Sequence, residues 1–310
     1  MNRHALSWTA VLAVAGLALA GCGTAPASTS AAPAPSTSAP TSAAPAPSTT
    51  AAPVTSTTAA PSTSTAPAIT LVSPGALTIC VDVPYKPMEY DDGTSQVVGF
   101  DIDLAQLVAD RLGVKLSVIQ SPFAQIWSGA NFAAKKCDLG WSSISITDAR
   151  KQAVLFSIPY FEATQALGTA ANSGIKGLAD LKGKKLSVQS DTTGMDYANE
   201  HAAEYGYEVL LFDDGGTALN ALLSGRADAS LVDNAITRAF VYDNPTMTVA
   251  TEFQTGETYG VAGKINDPNG TALIGLVNEV LTTAAADGTY LKTYQKWIDK
   301  KATSAGLPKA

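Results

Sequence analysis

Four short segments carry side chains that could bind or react: Asp82–Tyr85, Ser142–Ser145, Ser190–Gly194 and Asp233. Each follows a run that reads as a β-strand, and open α/β sheets hold their ligands beyond the carboxyl ends of the strands. Asp82 and Asp233 could partner a cation, or serve as a positioned acid in a reaction. Asp233 could equally cap the helix after it, and both roles can hold together. The Ser190–Gly194 segment stands just ahead of a helix start, which favours an anion. Other chemistry is poorly supplied. The histidines are His4, in a segment expected to be removed, and His201. One histidine could complete a Ser-His-Asp triad but not a multi-histidine zinc site, so no metal is expected. No G-x-S-x-G, G-x-G-x-x-G or Walker A pattern occurs, and no cofactor is implied.

The elements that must place these residues alternate. Leu77–Val83 is a short β-branched run. Phe100–Leu112 puts Leu104, Leu107, Val108 and Leu112 on one helical face and stops at Gly113. Lys115–Ile119 is a strand, Phe123–Ala134 a helix and Leu139–Ser142 a strand. The order restarts with strand Lys185–Gln189, helix Gly194–Tyr205, strand Glu208–Phe212, helix Gly216–Ser224, strand Ala229–Val232 and helix Ala235–Tyr242. Helices over Asn266–Ala286 and Gly288–Lys300 close the chain. Such alternation implies parallel sheets with helices on both faces, here in two similar α/β blocks.

Only part of the 310 residues builds this. The run Ala5–Ala20 behind Arg3, ending Leu19-Ala20-Gly21-Cys22, reads as a secretory signal over residues 1–21. The Leu-Ala-Gly-Cys ending resembles a bacterial lipobox, which implies a fatty-acyl (palmitate-type) anchor on Cys22. An uncleaved membrane anchor is the competing reading, but the run is short for a span of about 20 residues. Residues 23–68 are Ala, Pro, Ser and Thr apart from Gly23 and Val54. Such a tract cannot repay its ordering entropy, so residues 22–73 are expected to be a disordered tether. Its prolines favour extended chain, which would hold a domain away from a membrane, and its Ser/Thr/Pro content would suit O-glycosylation. The net charge of −7 argues against a nucleic-acid partner.

Gly99-Phe100-Asp101-Ile102-Asp103-Leu104, followed by Leu107-Val108, resembles the signature of the family 3 bacterial extracellular solute-binding proteins, receptors for polar amino acids in ATP-driven (ABC) uptake. Further stretches carry the resemblance. They are Asp82-Val83-Pro84-Tyr85-Lys86-Pro87-Met88-Glu89-Tyr90, Ser142-Ser143-Ile144-Ser145-Ile146-Thr147-Asp148-Ala149-Arg150, Phe156-Ser157-Ile158-Pro159-Tyr160, Gly225-Arg226-Ala227-Asp228-Ala229 and Asp287-Gly288-Thr289-Tyr290. The resemblance spans nearly all of 75–300. It implies a periplasmic-binding-protein-like (type II) α/β fold of two lobes, each a doubly wound sheet with flanking helices. Lobe 1 is expected to be discontinuous, over 74–163 and 261–305, and lobe 2 over 164–260. Crossovers are expected near Phe161–Leu167 and Glu257–Gly263.

The resemblance also implies a site. An enclosed amino acid brings a carboxylate and an ammonium, and a buried ion without a partner costs several kcal/mol. Arg150 is the expected carboxylate partner, because guanidinium meets carboxylate with two parallel hydrogen bonds. Backbone N–H groups around Thr193 and Gly194 would add to it. Asp233 is the expected ammonium partner, with Ser143 and Ser145 as further acceptors and Ser142 in the same loop. Tyr85 and Phe123 would flank the aliphatic part, with core packing the competing role for Phe123 and the favoured one for Trp127 and Trp141. Asp82 matches a position that carries an acid in receptors for basic amino acids and some for glutamine. That points to a cationic or neutral polar ligand rather than an acidic one. Asp191 stands where many relatives have glycine.

Cys80 lies on the first strand and Cys137 opens the third. In a doubly wound 2-1-3 order these strands are neighbours, so an exported chain is expected to bridge them; two buried free thiols are the alternative. The function expected is a monomeric, extracytoplasmic lipoprotein, not an enzyme, that captures an amino acid and delivers it to the membrane permease of an ABC importer. Two readings compete: a secreted dehydratase of prephenate or arogenate on the same scaffold, and a ligand-sensing surface lipoprotein.

Overall fold

The computed structural model describes residues 69–308. The signal segment, Cys22 and the tract through residue 68 lie outside the described residues. Strand β1 (Ala76–Val81) leads through the hairpin β2 (Tyr90–Asp91) and β3 (Val97–Val98) into α1 (Phe100–Leu112). Then come β4 (Lys115–Gln120), α2 (Phe123–Trp127), α3 (Ala130–Ala133), β5 (Leu139–Ser145), α4 (Asp148–Lys151), β6 (Val154–Phe156) and β7 (Phe161–Ala170). The second half runs β8 (Lys185–Gln189), α5 (Thr193–Tyr205), β9 (Glu208–Phe212), α6 (Gly215–Leu223), β10 (Ala229–Asp233) and α7 (Asn234–Asp243). Strand β11 (Met247–Lys264) and helices α8 (Pro268–Asp287) and α9 (Thr289–Trp297) close the chain.

The strand order β4-β1-β5-β11-β7-β10-β8-β9 shows the same unit twice. In each half the first strand lies between the second and third, parallel to both. An antiparallel strand then borders the third: β11 beside β5, and β7 beside β10. Strands β7 and β11 also pair with each other, from Tyr259 opposite Phe161 to Met247 opposite Ala170. They carry the segments expected as crossovers, so each passes from one half into the other as continuous strand. The result is a mixed α/β fold of two lobes.

Local chemistry explains the boundaries. Helix α1 follows Gly99, where a Cβ would lie 2.0 Å from the carbonyl oxygen of Met88, so only glycine admits the close passage of the two backbones. It ends at Gly113 in the left-handed conformation. The single helix expected over Phe123–Ala134 is instead two short ones, α2 and α3. Gly129, at φ +80°, ends the first and sits at the N-cap of the second.

Phe100 on α1 meets Phe161 on β7 and Tyr290 on α9 edge-on, each at 5.6 Å between ring centres. Phe161 stacks on Tyr259 of β11. These buried rings fix both crossing strands against the closing helices, and burying each contributes on the order of 1.5–3 kcal/mol. Cys80 and Cys137 form a disulfide with their Cα atoms 5.8 Å apart. The pairing of Cys80 with Gly140 across β1 and β5 explains the proximity.

Residues 69–73, expected at the end of the tether, are instead strapped to the fold. The Thr70 N–H donates to Asn269 Oδ1, and Asn269 Nδ2 donates back to the Thr70 carbonyl. The Val72 N–H donates to Asp138, whose other oxygen accepts from the Thr78 N–H. The reason is the change of composition: Ile69 and Leu71 are large apolar residues, and both pack against the core.

Candidate functional site

All ten residues expected to contact a ligand line one cavity between the two halves: Asp82, Tyr85, Phe123, Ser142, Ser143, Ser145, Arg150, Thr193, Gly194 and Asp233. Its empty volume is about 430 Å³, counting the space at its mouth. The strand-end rule accounts for the convergence. Asp82 follows β1, Ser142–Ser145 end β5, Asp233 ends β10, and Thr193–Gly194 begin α5 shortly after β8.

Arg150 sits on α4, whose N-cap Thr147 accepts from the Arg150 N–H. It is no surface arginine: it is buried, with only 5 % of its area exposed. The guanidinium lies over Phe123 at 5.0 Å and Trp127 at 5.4 Å from the ring centres, where the aromatic faces favour a cation. Its Nη1 donates to the Ser145 carbonyl and its Nη2 to the Asp191 carbonyl. Burial lowers its pKa from the usual arginine value, and the negative charge of Asp233 opposes that shift most strongly. A guanidinium titrates so high that it remains a cation. Trp141 is fully buried in the core, as expected.

Asp233 occupies the N-cap position of α7, but its carboxylate does not cap the helix. It accepts instead from Tyr85 Oη at 2.9 Å, from Tyr259 Oη and from Gln165 Nε2. Desolvation pushes its pKa up to about 6, with Glu257 adding to the shift and the three hydrogen bonds opposing it. Asp82 accepts from Gln189 Nε2, and its own N–H donates to Ser142 Oγ. Burial raises its pKa to about 7, and the charges of Asp214 and Asp213 add to the rise.

Beneath the serines lie two acids that strand-end reasoning did not find. Ser142 Oγ donates to Glu89 at 2.7 Å, and Asp101 Oδ2 accepts from Ser143 N, Ser143 Oγ and Tyr160 Oη. Both carboxyls are fully buried. Desolvation, with the neighbouring Asp101, drives Glu89 well above the usual carboxylate range, and burial lifts Asp101 to about 6. Ser143 is therefore held from below, at the positive φ of +48°. Its hydroxyl, expected to face an ammonium, lies 3.2 Å from Asp101.

Gln165, Gln189, Glu89, Thr192, Leu231 and Val232 complete the lining. Gln165 and Gln189 end up at the site through strands paired far from it in sequence, and nothing in their local pattern marks them. Asp191 does not line the cavity with its side chain. It adopts the left-handed conformation at φ +61°, which glycine adopts readily and which Asp tolerates better than most residues, and this aims its carbonyl at Arg150.

The halves also touch through residues beyond the cavity lining. Lys86 pairs with Asp243 at 2.5 Å, and the first residues of α6 lie against Pro84 and Tyr85. Among the described residues there is no His/Cys/Asp/Glu cluster able to hold a metal ion, and no helix long and apolar enough to cross a membrane.

Comparison with known proteins agrees on one family. The family model for bacterial extracellular solute-binding proteins, family 3, matches residues 77–300. The histidine-binding periplasmic protein of Salmonella typhimurium is 29% identical over 237 residues, covering 73% of this chain and 88% of the relative. ABC transporter arginine-binding protein 1 of Escherichia coli is 31% identical over 223 residues, covering 70% of this chain and 88% of the relative. The solved structure of an ancestral arginine-binding protein bound to arginine superposes with a TM-score of 0.67 at 37% identity, covering 72% of this chain and 98% of that one.

Proposed function

Because the chain belongs to the bacterial extracellular solute-binding proteins of family 3, we propose that it captures a polar or cationic amino acid between its lobes and delivers it to the permease of an ABC importer. One observation carries the proposal: Arg150 and Asp233, from different halves, are buried in the same cavity with opposite charges. An α-carboxylate on Arg150 and an α-ammonium on Asp233 give each buried ion a partner. The guanidinium has further N–H groups beyond the two bonded to carbonyls, enough to hold a carboxylate.

The charge of the lining favours a cationic side chain. Asp82 and Asp233 face a single arginine, and Asp213 and Asp214 stand behind Asp82. A zwitterion with an extra positive group would neutralise Asp82, whereas an acidic side chain would meet repulsion there. Capture requires no chemistry, and the relatives are binding proteins rather than enzymes. Binding is useful to a permease because the amino acid holds the closed form better than the open one.

The same reading places the first lobe over 74–163 and 261–305 and the second over 164–260. It makes residues 1–21 a signal peptide and Cys22 the acylated anchor of a monomer held outside the membrane. A thermal-shift screen against the proteinogenic amino acids tests the function. Cationic and neutral polar amino acids should raise the melting temperature, by the equivalent of about 2.7 kcal/mol at a hundredfold excess over Kd. Silence across the whole set would overturn the proposal. Mass spectrometry of the protein extracted from membranes should find a lipid on Cys22, and none after Cys22→Ser.

A further inference from the structure

Glu257 carries four hydrogen bonds at the point where the two halves meet. Its Oε2 accepts from Ser145 Oγ and Thr193 Oγ1, both at 2.6 Å. Its Oε1 accepts from Thr255 Oγ1 at 2.8 Å and Gln165 Nε2 at 3.0 Å. Ser145 ends β5 in one half, Thr193 begins α5 in the other, and Glu257 stands on β11, the strand that joins them. The pairing of β11 with β7 shifts register between Phe253 and Glu257, and Gly256 takes the left-handed conformation there.

A hydroxyl has one hydrogen to give. Ser145 and Thr193 give theirs to Glu257, so their oxygens can offer the cavity only lone pairs. Gln165 is in the same condition. Its amide N–H groups serve Asp233, Glu257 and, at 3.5 Å, Thr193 Oγ1, while its buried Oε1 has no partner among the described residues. That oxygen lies beside Gly194, where a Cβ would come within 2.7 Å of it. Three neutral groups are thus set as acceptors in the cavity that the Asp233 carboxylate also lines. Acceptors suit an ammonium and repel a carboxylate, which is left to Arg150 and the free N–H groups at the start of α5.

We infer that Glu257 is a positioning residue that sets the hydrogen-bond polarity of the cavity, turning Ser145 and Thr193 from both lobes into acceptors for the α-ammonium of the bound amino acid. This rests on the amino-acid-binding function proposed above. A side-chain amide at 257 can donate as well as accept, so it no longer compels either hydroxyl to point its hydrogen away from the cavity.

Calorimetric titration of the wild type, Glu257→Gln, Ser145→Ala and the double variant tests the inference. The probes are L-arginine and L-glutamine, each beside its analogue with hydrogen in place of the α-ammonium, 5-guanidinopentanoate and glutaramate. Glu257→Gln should weaken binding of the amino acid by roughly tenfold or more. It should leave the weaker binding of the amine-free analogue unchanged, and the loss should shrink in the Ser145→Ala background. Wild type that binds an amino acid while Glu257→Gln binds it equally well overturns the inference and leaves the function standing. An equal loss for the amine-free analogue overturns it too, since a purely structural defect would not distinguish the probes. A wild type that binds neither amino acid removes the function and the inference together.

Discussion

The phenol of Tyr85, on the loop after β1, donates to the carboxylate of Asp233, at the end of β10, over 2.9 Å. The two residues are 148 positions apart in sequence and come from different halves. The bond joins the lobes at the place where an ammonium is expected. It sets beside the cavity a carboxylate that burial makes reluctant to ionise. On the proposed function, a bound cation would remove that reluctance and so couple binding to ionisation at this residue.

The pH dependence follows from the raised carboxyls. Burial lifts Asp101 and Asp233 to about 6 and Asp82 to about 7, from a starting value of 3.8. Between these limits the folded protein holds more protons than the unfolded chain. This contribution to stability is fully present below about pH 4 and is lost as pH rises through 6 to 7. The unliganded protein should therefore melt higher at pH 5 than at pH 8. A cationic amino acid favours the ionised forms of Asp82 and Asp233, so binding near pH 6 should release protons and tighten as pH rises. Calorimetry in buffers of different ionisation heat measures the release. Proton uptake on binding would contradict the account.

Gly215 and Gly216 open α6 directly against the first half. A Cβ on Gly215 would lie 2.7 Å from Tyr85 Cε2, and one on Gly216 would lie 2.6 Å from Pro84 Cγ. Gly216→Ala should hinder closure and weaken amino acid binding by roughly tenfold, while the unliganded melting temperature moves little. Small-angle scattering should show a smaller compaction on adding ligand than in wild type. Unchanged affinity would show that these contacts do not limit closure.

The Cys80–Cys137 bridge closes a loop with a sequence separation of 57. On the chain-entropy account it stabilises the fold by about 4 kcal/mol. Cys80→Ala with Cys137→Ala should lower stability by an amount of that order in urea unfolding. Thiol titration of the Cys22→Ser protein, denatured without reductant, should find no free thiol. Two thiols would mean that the bridge does not form.

Much of the fold was legible in local pattern. The 3.6-residue spacing of apolar side chains marks α1, and the β-branched run through Thr78, Ile79 and Val81 marks β1, because those elements bury one face or both against neighbours. Cavity residues at strand ends, such as Asp82 and Asp233, were legible for a topological reason. The long strands β7 and β11 were not marked as strands, because residues such as Gln165, Thr255 and Glu257 interrupt any clean alternation. Of these, Gln165 lines the cavity and Glu257 bonds to Ser145 and Thr193 of its lining. Apart from Thr255 beside Glu257, the side-chain partners of Gln165, Gln189 and Glu257 lie 24 to 112 positions away, and only the pairing of distant strands reveals them. Gly129 hid its break in the α2–α3 segment because a single glycine is tolerated inside many helices.

The most direct test is a crystal structure of the protein grown with L-arginine. The expected result is the α-carboxylate paired with the Arg150 guanidinium, the α-ammonium within hydrogen-bonding distance of Asp233 and Ser145 Oγ, and the side chain running between Tyr85 and Phe123 toward Asp82. Density showing the amino acid bound elsewhere, or seated with its carboxylate toward Asp233, would contradict it.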